Sequence, residues 1–208
     1  AYFIFRDMLN KQGVEYLEYE SLLRQHGQVS LLPIYSFGVE FEGFVRRSHG
    51  IDGLVQSLSQ AGIPTVNIGY THNVMNEWKI VPDGSVRGQE DYSPLELVTP
   101  KLFGAIGFHL LKKALDAWKE AGANVNASCG THVHIDAYNW ERRDMLELAK
   151  IWARIEQKVI WGLVSPSRRN NHYCRAVDRE YLKQLAVYGA THLDRYHSLN
   201  LSSYGQYH

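Results

Sequence analysis

Cysteine is scarce in this chain: Cys129 and Cys174 are the only two among 208 residues. A disulfide framework is not expected, and a reducing compartment such as the cytoplasm fits that usage. Net charge is missing as well, since 22 basic residues offset 22 acidic ones. Bulk charge therefore selects neither a nucleic acid nor a membrane surface as partner. No apolar run approaches the roughly 18 residues that a membrane-spanning helix needs. The opening Ala1-Tyr-Phe-Ile-Phe is apolar, but Arg6 and Asp7 break it at once, unlike a signal peptide. An initiating Met is absent and the chain stops after Gly205-Gln-Tyr-His208, which points to a processed product or a piece of something longer. Internal repeats and low-complexity stretches are absent. So are a GxxxxGK phosphate loop and a GxSxG nucleophile elbow.

What is present is ordinary globular composition, with 45% apolar and 21% charged residues, enough to bury a core. Residues 6–26 read as helical, with Met8, Leu9, Tyr16, Leu22 and Leu23 as apolar positions and Gly27 as a stop. We treat 1–34 as an arm or interface element and 35–208 as the main domain. Within that domain, strands are expected at 35–45, 65–70, 77–82, 95–99, 125–137 and 195–202. Helices are expected at 50–61, 105–121, 141–164 and 178–188. Asp83-Gly84 reads as a turn. Polar and apolar side chains alternate in the strands, so each should bury one face and open the other. That pattern predicts an α+β fold with an antiparallel sheet, since a parallel sheet would show longer apolar runs.

Alternation also sorts the residues that can do chemistry. In Cys129-Gly-Thr-His-Val-His-Ile-Asp136, residues two apart share a face. His132, His134 and Asp136 should line one side, with both histidines in a cavity, while Val133 and Ile135 should be buried on the other. Two histidines and a carboxylate on one face suit a metal or phosphate. In Gly38-Val-Glu-Phe-Glu-Gly43, Glu40 and Glu42 share a face opposite Val39 and Phe41. Adjacent like charges need a cation or an arginine, and such oxygen donors suit Mg²⁺ or Mn²⁺. Glu96 stands alone among apolar neighbours in Leu95-Glu-Leu-Val-Thr-Pro100 and wants a partner or a metal. In Ser165-Pro-Ser-Arg-Arg-Asn-Asn171, Arg168 and Arg169 offer forks for phosphate or carboxylate, although a solvated basic loop explains the segment equally well.

Taken in order, Phe37 to Glu42, Trp78 to Ser85, Glu96 to Pro100, Cys129 to Asp136, Arg168 to Asn171 and Arg195-Tyr-His-Ser-Leu-Asn200 resemble the amidoligase family. That family is related to glutamine synthetase and glutamate–cysteine ligase, and the likeness covers about residues 35–202. The resemblance implies a curved antiparallel sheet forming a glutamine synthetase-like funnel with helices on its outer face. It implies bound ATP and Mg²⁺ or Mn²⁺, with Glu40, Glu42, Glu96, His132 and His134 as metal ligands. His132, Arg168 and Asn171 would bind the nucleotide, and Arg168 and Arg169 would serve catalysis. The implied reaction phosphorylates a carboxylate and lets an amine attack the acyl phosphate to form an amide. Without a phosphate loop, metals and arginines must hold the phosphates. Relatives carry a further strand with a Glu-x-Arg element after the segment matching Arg195–Asn200, and this chain ends before one.

Two other readings stand beside the ligase. A zinc hydrolase would use Cys129, His132 and His134 with His172 or Cys174, but would leave Glu40 and Glu42 unexplained. A non-catalytic assembly module would use residues 1–34 or an open sheet edge to hold a protein partner or a second copy. For the ligase, the partners are small-molecule or peptide carboxylates and amines.

Overall fold

A computed structural model describes residues 36–207, apart from Tyr70, His72, Val74, Gly88, Gln89 and Asn170. The expected helix at 6–26 lies outside the described residues. The chain divides into two compact units, with the boundary between Asp136 and Ala137.

The first unit is a six-stranded sheet covered on one face by two helices. Its elements are β1 (Ser36–Arg46), α1 (Gly50–Gln60), β2 (Thr65–Asn67), β3 (Trp78–Pro82), β4 (Tyr92–Val98), β5 (Leu102–Phe103), α2 (Gly104–Glu120) and β6 (Thr131–Ile135). The strand order is β2-β3-β4-β1-β5, with β6 also on β1. Phe37 pairs with both Leu102 and Ile135, so β5 and β6 take opposite edges of β1. All pairings are antiparallel except β2 with β3, which is parallel. The expectation of a purely antiparallel sheet therefore fails at β2. α1 carries the chain back across the sheet before β2 begins, and Gly62 closes that helix at a φ of 75°. Gly122 does the same after α2, at a φ of 77°.

Alternation along the strands builds the core. Leu95 and Leu97 of β4, Trp78 and Ile80 of β3, and Val45 of β1 pack on Leu54 and Leu58 of α1. Ile106, Leu110, Ala114, Ala117 and Trp118 of α2 complete the cluster. Each fully buried Leu or Ile contributes about 2 kcal/mol. The helical spacing read at Ile106, Leu110, Ala114, Ala117 and Trp118 is the buried stripe of α2. Gly43 makes this packing close: a Cβ there would stand 2.8 Å from both the Asn124 carbonyl oxygen and Trp118 Cζ2.

β6 departs from its expected burial. Val133 and Ile135 are each 61% exposed, where both were expected inside. They do face the helical side, opposite Val39 and Phe37, but no β6 residue belongs to the core cluster. The alternation holds along β6, but the helical layer does not cover this last strand. β6 is also shorter than the expected 125–137, because Asn126 to Cys129 form a turn in which the Asn126 side chain accepts from the Ser128 N–H at 2.8 Å.

The second unit is helical. α3 (Arg142–Ile155) runs through a π-helical turn (Glu156–Ile160) into α4 (Trp161–Leu163), and a 3₁₀ turn (Pro166–Arg168) follows. α5 (Arg179–Tyr188), a second 3₁₀ turn (Ala190–His192) and α6 (Ser202–Tyr207) complete it. Glu141 and Asp144 form a capping box on α3, and Asp178 caps α5 by accepting from the Tyr181 N–H at 2.8 Å. Met145, Ala149, Val177, Tyr181, Leu185, Leu193 and Leu201 form its core. Glu156 is 1% exposed, and its carboxylate accepts from the Val177 N–H at 3.1 Å and from the Ser198 hydroxyl. The strand expected at 195–202 is absent. Residues 196–198 instead bond to Arg175, and the Asn200 side chain accepts from the Ser202 N–H, turning the chain into α6.

Gly43→Ala is expected to lower unfolding free energy by roughly 2 kcal/mol, because Trp118 and the Asn124 backbone must move to admit the methyl group. Urea denaturation checks this; an unchanged midpoint would show that the contact is not tight.

Candidate metal centre

The face of the sheet opposite the helices carries the polar residues, and register decides which of them meet. Glu40 lies opposite Val98 on β4 and His132 on β6. Glu42 lies opposite Glu96. His132 Nδ1 is 3.1 Å from Glu40 Oε2, and His134 Nε2 is 3.2 Å from Glu40 Oε1. Each Glu40 oxygen thus faces one imidazole. Glu40, Glu96 and His132 each offer a ligand atom, all within 4.8 Å of one another.

Glu42 is drawn aside from this group. It is buried, its Oε2 accepts from the Gly130 N–H at 2.6 Å, and its Oε1 lies 3.8 Å from His132 Nε2. Its backbone N–H also donates to the Gly130 carbonyl, so the Glu42–Gly130 pair locks the entry to β6 against β1. Asp136 lies just beyond β6, where its carboxylate accepts from the Ser36 hydroxyl at 2.9 Å. His132 and His134 are exposed, on open sheet surface.

Electrostatics follow from this crowding. Burial and the neighbouring Glu40 push the Glu96 carboxyl up to about 7. Burial alone would raise Glu40 too, but its hydrogen bonds to His132 and His134 outweigh that and hold it well below the usual carboxylate range. The same bonds to Glu40 raise both histidines, against the lowering effect of the partial desolvation they undergo beside the carboxylates. Glu96 therefore keeps a proton where an isolated carboxylate would not. A cation would remove the reason for that proton, and two carboxylates with an imidazole are a donor set that fits Mg²⁺ or Mn²⁺.

Cys129 stands outside the group. Its Sγ accepts from the Asn126 N–H at 3.4 Å, and both cysteines are unpaired thiols. Among the described residues the three-ligand group includes no cysteine, so the cysteine–histidine set of a zinc hydrolase finds no support here.

Arg168, Arg169 and Asn171 belong to the second unit. Arg169 Nε donates to the Val164 carbonyl at 2.8 Å, and the Asn171 side chain accepts from the Tyr173 N–H at 2.9 Å in a local turn. Sequence reasoning missed two buried charges. Lys79, 6% exposed, shares the polar face of the sheet. Its signal was a lone cation in the apolar run Trp78-Lys-Ile-Val81. Glu156 continues the buried stripe Met145, Ala149, Trp152 at helical spacing, a position where an acid is out of place.

The family model described as "putative amidoligase enzyme" matches residues 33–208. The chain belongs to this amidoligase family. Neither curated proteins nor solved structures provide a match. No helix among the described residues is long and apolar enough to cross a membrane.

A pH dependence follows. The native pKa of Glu96 lies above its unfolded value, so its contribution to stability is complete below the ordinary carboxylate range and is lost as pH rises through about 7. Both raised histidines act in the same direction. Glu40, lowered, loses its contribution only as pH falls into the acid range. A divalent cation competes with the Glu96 and histidine protons. Mn²⁺ should therefore raise the thermal midpoint more at pH 8 than at pH 6, and Glu96→Gln should flatten the difference. Equal stabilisation of the wild type at both pH values, measured by thermal shift, would remove Glu96 from the site.

Proposed function

We propose that this protein is an ATP-dependent carboxylate–amine ligase that uses Mg²⁺ or Mn²⁺. The supporting observation is the Glu40–Glu96–His132 group, with ligand atoms within 4.8 Å, on the open face of a sheet in an amidoligase-family chain. In this reading the sheet is the wall of a glutamine synthetase-like funnel, and His134 and Glu42 steady the ligands through Glu40 and Gly130. The metal would supply charge neutralisation for the transferring phosphoryl group.

The chemistry balances without a protein nucleophile. A substrate carboxylate oxygen attacks the γ-phosphorus, the bond to the β-phosphate oxygen breaks, and ADP leaves. An amine nitrogen then attacks the acyl carbon, inorganic phosphate leaves, and the amine loses a proton. Glu40 and His132 are committed to the metal in this reading, so the amine's proton leaves with the departing phosphate or to solvent. Arg168 and Arg169 are assigned to phosphate or carboxylate oxygens by the chemistry of the guanidinium fork.

Phosphate release should require both a carboxylate and an amine, and mass spectrometry should find a product equal to their sum less one water. Glu40→Gln should lower the rate by about 100-fold or more, the scale on which electrostatic groups act at such a centre. Amine-independent phosphate release with no amide product would reject the ligase reading.

A further inference from the structure

A buried cation on the site's own face has no role in the chemistry above. Lys79 is 6% exposed, yet an ammonium removed from water is costly unless an anion or full hydrogen bonding offsets it. Its Nζ donates to the Thr71 carbonyl at 3.2 Å and to the Asn73 carbonyl at 2.8 Å. An ammonium has three N–H donors. The third has no acceptor, and the charge no carboxylate partner, among the described residues.

Register places this cation in line with the metal centre. Lys79 pairs with Val98, Val98 with Glu40, and Glu40 with His132, so the four side chains form one row across β3, β4, β1 and β6. Two strand spacings separate Lys79 from Glu40, about 10 Å between backbones. The residue between them, Val98, carries no charge. One end of the row is thus anionic and metal-binding, the other is cationic, and the middle is neutral. Such a row fits an extended anion with one end at the metal and the other at the ammonium.

We propose that Lys79 receives an anionic group of a substrate lying along this row, a phosphate or a carboxylate, through its remaining N–H. This role presupposes the ligase reading. A lysine that only clamps the Thr71 and Asn73 carbonyls would affect stability and leave anion affinity alone.

The test is calorimetric titration of the full chain and of K79M and K79R with Mn²⁺ alone, then with Mg²⁺–tripolyphosphate and, separately, with glutarate. Lys79→Met should leave Mn²⁺ affinity within about twofold and weaken one of the two anions by about tenfold or more, the scale of a lost charge-assisted hydrogen bond. Lys79→Arg should retain most of the affinity. The anion that weakens tells phosphate from carboxylate. Equal binding of both anions by wild type and K79M, or binding of neither by wild type, overturns the assignment. A wild type that binds the anions through Lys79 but not Mn²⁺ instead overturns the metal centre and the ligase reading. If K79M does not fold, the Lys79 ¹⁵Nζ resonance of the wild type decides: a shift on adding either anion supports the contact, and no shift with both overturns it.

Discussion

β1 is hydrogen-bonded along both of its edges, and the first unit depends on that. The pairing with β4 sets Glu42 beside Glu96, and the pairing with β6 sets Glu40 beside His132. On the other face the same strand offers Val39, Phe41 and Val45 to the core, with Gly43 leaving room for Trp118. A shift of one residue on either edge would exchange the two faces, sending carboxylates into the core and valines to the site. The apolar cost of such a shift is what keeps the site's geometry, so the core packing on the helical face of the sheet holds the candidate ligands in register.

The alternation made much of this legible in advance. Period groups Glu40 with Glu42 and His132 with His134 within their own strands, the family resemblance joins Glu96 to them, and the register places the strands' polar residues side by side. Which three converge was not legible. That selection depends on the Gly130 N–H drawing Glu42 away, a contact between residues far apart in sequence. Val133 and Ile135 failed for a related reason. Period says which way a side chain points, whereas burial depends on whether another layer covers it, and here the helices stop short. The strand expected at 195–202 failed because local side-chain bonds, at Asn200 above all, compete with extended pairing.

The second unit is organised around Glu156. Its carboxylate receives the Val177 N–H and the Ser198 hydroxyl, which itself accepts from Trp152 Nε1 at 2.9 Å. One acid thus ties the end of α3 to the segment before α5 and to the segment before α6. It sits at the first residue of the π-helical turn, where the wider winding changes the direction of the following side chains. A glutamine there could keep the acceptor but would add donors with no place to go.

The placement of the three candidate ligands has a mechanical side. Glu96, Glu40 and His132 stand on three adjacent strands, β4, β1 and β6, and among the described residues β6 has a strand partner in β1 alone. An ion gripped by all three would act as a rivet across the two seams that join β4 and β6 to β1. Loading the centre would then add a side-chain fastening to the backbone bonds that already hold this edge strand.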